Sequence, residues 1–242
     1  MTTLTKFIVG IVISLLFTSC GFGNFDINGI RGNGNIETVD RPIDDNFSEI
    51  KVSRGLDIYI TQSNDVSLSI EADKNLHEFI ITEVEDGILK IYADRNITYS
   101  KAQKVMVSIK DINKIKSSSG SDVYSTNIIR ANEIQLTSSS GSDIRVEVEA
   151  NIVECKSSSG SDIRVSGTTN KLIAEASSGS DIKAANLKAK SSNVRASSGS
   201  DITVNTSDEL YAKASSGADI RYYGNPETVN KNEGVSADIK KQ

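Results

Sequence analysis

Ser159-Gly160-Ser161-Asp162-Ile163 is one copy of a phrase that recurs through the second half of the chain. It stands also at Ser119-Gly120-Ser121-Asp122-Val123, Ser140-Gly141-Ser142-Asp143-Ile144, Ser178-Gly179-Ser180-Asp181-Ile182 and Ser198-Gly199-Ser200-Asp201-Ile202. Ser216-Gly217-Ala218-Asp219-Ile220 is a sixth copy, and Ser236-Ala237-Asp238-Ile239 a worn seventh. Successive glycines lie 21, 19, 19, 20 and 18 residues apart. A near-constant period of this length marks stacked supersecondary units, each burying its apolar side against the next.

Within a unit the period is two. Asp162-Ile163-Arg164-Val165-Ser166 alternates polar and apolar, as a half-buried strand does. Gly167-Thr168-Thr169-Asn170 predicts a turn, and Leu172-Ile173-Ala174-Glu175-Ala176 a second strand. No segment has the length or the 3.6-residue period of a crossover helix. The unit is therefore one rung of about 19 residues in an all-β solenoid.

Laying the units on one another produces columns. The residue after each Asp is Val123, Ile144, Ile163, Ile182, Ile202 or Ile220. Five before each Gly come Ile115, Leu136, Cys155, Ala174, Val194 and Ala212, and three before come Ser117, Ser138, Ser157, Ala176, Ala196 and Ala214. These apolar or small columns are expected to face inward. Cys155 is thereby read as a small buried hydrophobe.

The outward columns pair Asp122, Asp143, Asp162, Asp181, Asp201 and Asp219 with Tyr124, Arg145, Arg164, Lys183, Thr203 and Arg221 two residues on. Carboxylates stacked at about 4.8 Å repel, and the neighbouring cations relieve them. The turn residues of this ladder (Gly120, Gly141, Gly160, Gly179, Gly199 and Gly217, with the six Asp) form the candidate surface. Calcium is the sharper reading of a Ser-Gly-Asp ladder. However, the phrase recurs only once per rung, and calcium wants six to eight oxygens. Structural turns, with Asp and Ser capping backbone N–H groups and Gly at positive φ, account for it better, so no metal and no cofactor are assigned.

Nothing singles out one Asp from the others, as a catalytic carboxylate pair requires. His77, the only histidine, has no nucleophile partner, and no phosphate loop or zinc motif occurs. The chain is read as non-enzymatic, with a carbohydrate-active β-helix enzyme as a remote third alternative. A net charge of -5 without a basic run excludes nucleic acid. Aromatics make up 5% of residues and Trp is absent, which suits a thin core of stacked strands.

The first twenty residues carry an address. Lys6 precedes the apolar run Phe7–Phe17, which is too short to span a bilayer comfortably, and Thr18-Ser19 lead to Cys20. This resembles the lipobox of bacterial lipoproteins, with Phe17 at the place of the usual Leu, and implies lipidation of Cys20. Residues 1–19 are the expected signal peptide, and 20–40, rich in Gly and Asn, a flexible tether. Residues 41–116 are an N-terminal β region in which Arg54-Gly55-Leu56-Asp57-Ile58 echoes the later phrase, so it reads as a diverged part of the same solenoid. Leu76 to Glu85 stays open between helix and strand. Residues 117–242 are the repeat solenoid, its polar tail capping the last coil. Deleting 224–242 is expected to promote association.

Lipobox, Phe47-x-x-Ile50-x-Val52, Gly55-Leu56-Asp57-Ile58, Gly87-x-Leu89-x-Ile91 and serial Ser-Gly-Ser-Asp repeats together resemble the GIN-domain family, the auto-transporter adhesin head domain common in Bacteroidetes. The resemblance covers about residues 40–240. It implies a right-handed parallel β-helix on an exported lipoprotein of the cell envelope, held at the outer membrane by its lipid, and supplies no catalytic residues. The expected function is a surface-binding or adhesive module whose partner is a glycan, matrix or envelope protein. The alternative is a periplasm-facing structural lipoprotein, since Gly21-Phe22-Gly23-Asn24 lacks the acidic run that resembles a surface-export signal.

Overall fold

The computed structural model describes residues 29–242. The expected signal peptide, Cys20 and the first part of the tether lie outside the described residues. Parallel stacked strands build a β-solenoid of about seven turns. At its centre Asp143–Ser158, Asp162–Ser177, Asp181–Ser197 and Asp201–Ser215 are each one rung, paired in parallel so that Asp143, Asp162, Asp181 and Asp201 stand in register.

The turn expected over Gly167–Asn170 does not divide the rung into two strands. Ladder pairing runs through it, with Gly167 opposite Val148 below and Leu187 above. Most N–H and C=O groups of the corner find partners in the next rung, with a register shift between Arg164 and Gly167 on one side, so the chain bends there without ending the strand. Gly167 has φ +112, and a Cβ there would lie 2.0 Å from the carbonyl oxygen of Val148.

The chain reverses instead at the repeated phrase. Ser159 and Gly160 sit at φ 58 and 66, two consecutive left-handed residues, and the pair recurs from Arg54-Gly55 (φ 67 and 77) onward. Even this arc is stacked: the Gly160 N–H donates to Ser178 O at 3.2 Å and the Asp162 N–H to Ser142 O at 3.1 Å.

The inward columns are buried as expected. Val123, Ile144, Ile163, Ile182, Ile202 and Ile220 form one wall; Ile115, Leu136, Cys155, Ala174, Val194 and Ala212 form another. Each large aliphatic side chain taken from water this way contributes about 1.5–3 kcal/mol.

The N-terminal region continues the stack. Glu49–Ser53 lies parallel between Lys114–Ser118 and Ile88–Ala93, and Asp57–Gln62 between Asp122–Ser125 and Gln103–Ile109. Beyond these rungs the pairing turns antiparallel: Ser67–Asp73 joins Gln103–Ile109 and Ile36–Arg41, while Ile80–Glu85 joins Ile88–Ala93. The open segment after Leu76 resolves into a 3₁₀ turn, Lys74–Leu76, followed by the strand Ile80–Glu85.

One boundary differs from the sequence reading. The tether expected to run to residue 40 is ordered strand at its far end. Ile30–Arg31 pairs with Ile97–Tyr99 and Ile36–Arg41 with Ser67–Asp73, and between them the Gly34 N–H donates to the carboxylate of buried Asp73. The tail expected to cap the last coil forms the final rung: Thr228–Glu233 pairs with Asp201–Ser215, and Asp238–Lys241 with Asp219–Tyr223.

Candidate functional site

The candidate surface begins with the serine after each glycine. Ser121, Ser142, Ser161, Ser180 and Ser200 are fully buried. Ser161 Oγ accepts the Ser158 N–H at 3.2 Å and donates to Ser158 O at 2.9 Å. Ser142 repeats this with Ser139 at 3.1 and 2.9 Å. The hydroxyl thus pins the two-residue arc from inside, which leaves the next residue to point outward.

That next residue is the aspartate. Asp122, Asp143, Asp162, Asp181, Asp201 and Asp219 form one ladder, extended by Asp57 at one end and Asp238 at the other. The sequence reading gave capping to both Ser and Asp; the structure gives it to Ser alone. Period two turns the carboxylates out of the arc, where they meet cations instead of N–H groups. Asp143 pairs with Arg145 at 2.9 Å, Lys183 bridges Asp162 at 2.7 Å and Asp181 at 3.0 Å, and Arg221 reaches Asp219 at 3.5 Å. Burial opposes the charge on Lys183, but the hydrogen bonds it donates to both aspartates outweigh it and hold the ammonium pKa above its ordinary value.

Asp57, Asp122 and Asp201 have no cation two residues on, and the carboxyls of Asp201 and Asp57 respond. Burial, then the neighbouring Asp181 and Asp219, push Asp201 above the ordinary carboxylate range, against the pull of Arg221; Thr203 stands at the cation position. Burial and Asp122 do the same to Asp57, where Tyr59 holds that position. Tyr59 stacks on Tyr124 with ring centroids 5.2 Å apart, and the Arg145 guanidinium lies 5.5 Å from the Tyr124 centroid. The cation column thus continues as an aromatic one at its upper end.

Among the described residues no three His, Cys, Asp or Glu side chains converge closely enough to hold a metal ion. His77 sits at the end of the 3₁₀ turn with Nε2 3.1 Å from Glu37 O. Burial, then the charge of Glu154, push the Cys155 thiol up to about 12, so it stays a neutral wall residue at physiological pH.

The sequence reading missed two features. Asp73 is buried and accepts N–H bonds from Lys101 at 2.7 Å, from Ala102 at 3.3 Å and from Gly34. Nothing local in Asp73-Lys74-Asn75 marks it. The second is a column of cations on the face away from the Asp ladder, four residues before each glycine. It includes Lys116, Lys156, Arg195 and Lys213, and was legible only by reading that column as the others were read.

Fold and surface together define a parallel β-solenoid that displays the same side chain rung after rung along its faces. The chain belongs to the family described as "Putative auto-transporter adhesin, head GIN domain", whose model matches residues 46–226. Among solved structures it is similar to a "putative adhesin" of Bacteroides fragilis NCTC 9343, with TM-score 0.82 and 22% identity, covering 88% of this chain and 100% of the other. A "putative lipid binding protein" of Parabacteroides distasonis ATCC 8503 gives TM-score 0.71 at 22% identity, over 88% and 99% of the two chains. A "putative adhesin" of Parabacteroides merdae ATCC 43184 gives 0.69 at 19%, over 87% and 98%. At these identities the likeness is one of fold. Comparison with the curated proteins gave no match.

Proposed function

We propose that this protein is a non-catalytic binding module of the cell envelope, exported as a lipoprotein anchored through Cys20 and using the long faces of its solenoid for adhesion. The observation that carries this reading is the ladder itself. Eight aspartates in register, with cations beside most of them, present one chemistry over the length of the stack. Such repetition suits an extended partner gripped at many weak points, as solenoid surfaces do. Membership in a family described as adhesins supports the same reading.

The test is protease treatment of intact cells carrying the native protein. Digestion of the solenoid is expected, since an adhesive surface has to face outward. Protection on intact cells, with digestion after permeabilisation, would overturn the surface role and turn the search to periplasmic envelope partners.

A further inference from the structure

The face four residues before each glycine has a charge pattern of its own. Register pairing stacks Lys90, Lys51, Lys116, Thr137, Lys156, Glu175, Arg195 and Lys213 in one column. Six of these eight positions are cations, in a chain whose net charge is -5. At the inter-strand spacing of about 4.8 Å they form a basic stripe along most of the solenoid.

The stripe is neutralised only in part: Lys90 is paired with Glu85, and Lys156 with Glu154 at 2.6 Å. Glu49 is shared between Lys116 at 3.1 Å and Lys114 at 3.5 Å. Arg195 meets Glu175 only at 3.9 Å, with its side chain 64% exposed. Lys51 and Lys213 are exposed and have no carboxylate within ion-pair distance among the described residues. Like charges stacked this closely raise each other's energy, and a ligand that neutralises several at once recovers that cost.

We infer that this stripe binds an anionic polysaccharide laid along the solenoid axis. The inference deepens the proposed binding function and rests on it. A linear chain with a negative group on each repeat matches cations repeated along a rigid sheet. The neighbouring column supplies neutral partners for sugar hydroxyls in Gln135, Asn193 and Tyr211, each beside a member of the stripe. A second copy of the protein is a poor match, because its own Asp ladder is already occupied by Arg145, Lys183 and Arg221. Nucleic acid fits less well, since binding single strands draws on a series of aromatic platforms, and among the described residues the stripe borders just Tyr92 and Tyr211, at its opposite ends.

The test measures binding of the full chain to heparin, polygalacturonate, neutral dextran and single-stranded DNA across a salt series. Binding to both acidic glycans and not to dextran is expected. A triple variant Lys51→Gln, Arg195→Gln, Lys213→Gln should weaken binding by about tenfold or more and flatten the salt dependence. The substitutions are at exposed positions, and circular dichroism checks folding. A control triple outside both columns, Lys171→Gln, Lys188→Gln, Lys190→Gln, removes the same charge from exposed positions and should bind as the parent does. Equal loss in both triples would overturn the stripe as the site. DNA binding as tight as heparin binding at the same salt would overturn the glycan assignment. Failure of the parent to bind either acidic glycan would overturn the inference outright, while protease digestion on intact cells would still support the adhesive surface.

Discussion

Single residues fix where this chain bends, and two glycines separate the reasons. Gly160 is at φ +66 with open space where a Cβ would go, so Gly160→Ala costs only the left-handed backbone term of about 1–2 kcal/mol. Gly167 is at φ +112 with a backbone oxygen 2.0 Å from the Cβ position, so Gly167→Ala must also push two rungs apart. Denaturant unfolding should show Gly167→Ala losing at least about twice as much stability as Gly160→Ala. Equal losses would mean the corner relaxes freely. Gly160 announces itself by repetition. Gly167 does not, because the corner it makes is bent differently in each rung: Val148 and Leu187 hold the same place in the rungs on either side. That is why the repeat fixed the period and the inward columns in advance, yet a continuous rung was read as two strands.

Elements at the N-terminal end depend on a group with no repeat to reveal it. Asp73 ends the strand Ser67–Asp73, which is the shared neighbour of Ile36–Arg41 and Gln103–Ile109. Its burial favours the neutral form, but the N–H bonds from Lys101, Gly34 and Ala102 win and hold its pKa below the ordinary 3.8. A depressed carboxylate pKa stabilises the fold fully above the ordinary value. That contribution is lost as pH falls through the lower folded one. Asp73→Asn should therefore cost about 1–3 kcal/mol at neutral pH, with faster amide exchange at Gly34, Lys101 and Ala102. The gap between variant and parent should close as pH falls below 3.8. A gap that stays constant with pH would show that the carboxylate charge is not what holds the segment. The composition of residues 29–35 is that of a linker, and local composition cannot show that their N–H groups have a distant acceptor.

At the scale of the whole molecule, a solenoid has to stop. Each rung offers the next a row of backbone groups and an apolar inward wall, so an unmodified last rung invites another copy. In the final rung the inward places change character. Lys231 stands over Ala212, Glu233 over Ala214 and Lys241 over Tyr222, in columns that earlier rungs fill with small or apolar residues such as Val194, Ala196 and Val204. Lys231 lies across the end of the stack, its Nζ 2.7 Å from Ile239 O and 5.1 Å from the centre of the Tyr222 ring. Stacking a further rung would bury these charges without partners, at a cost of several kcal/mol per ion. The charged positions therefore act against end-to-end growth, and the sequence shows them only once Thr228–Glu233 is known to be a rung. Replacing them by what the columns hold elsewhere, Lys231→Val with Glu233→Ala, should leave the fold intact and produce concentration-dependent association by light scattering. Deletion of 224–242 should do so too, by uncovering Leu210, Ala212 and Tyr222. If the deletion associates and the double variant stays monomeric, the covering of apolar surface is what matters and the charges are incidental; a monomer in both cases would mean the parallel edge is not adhesive at all.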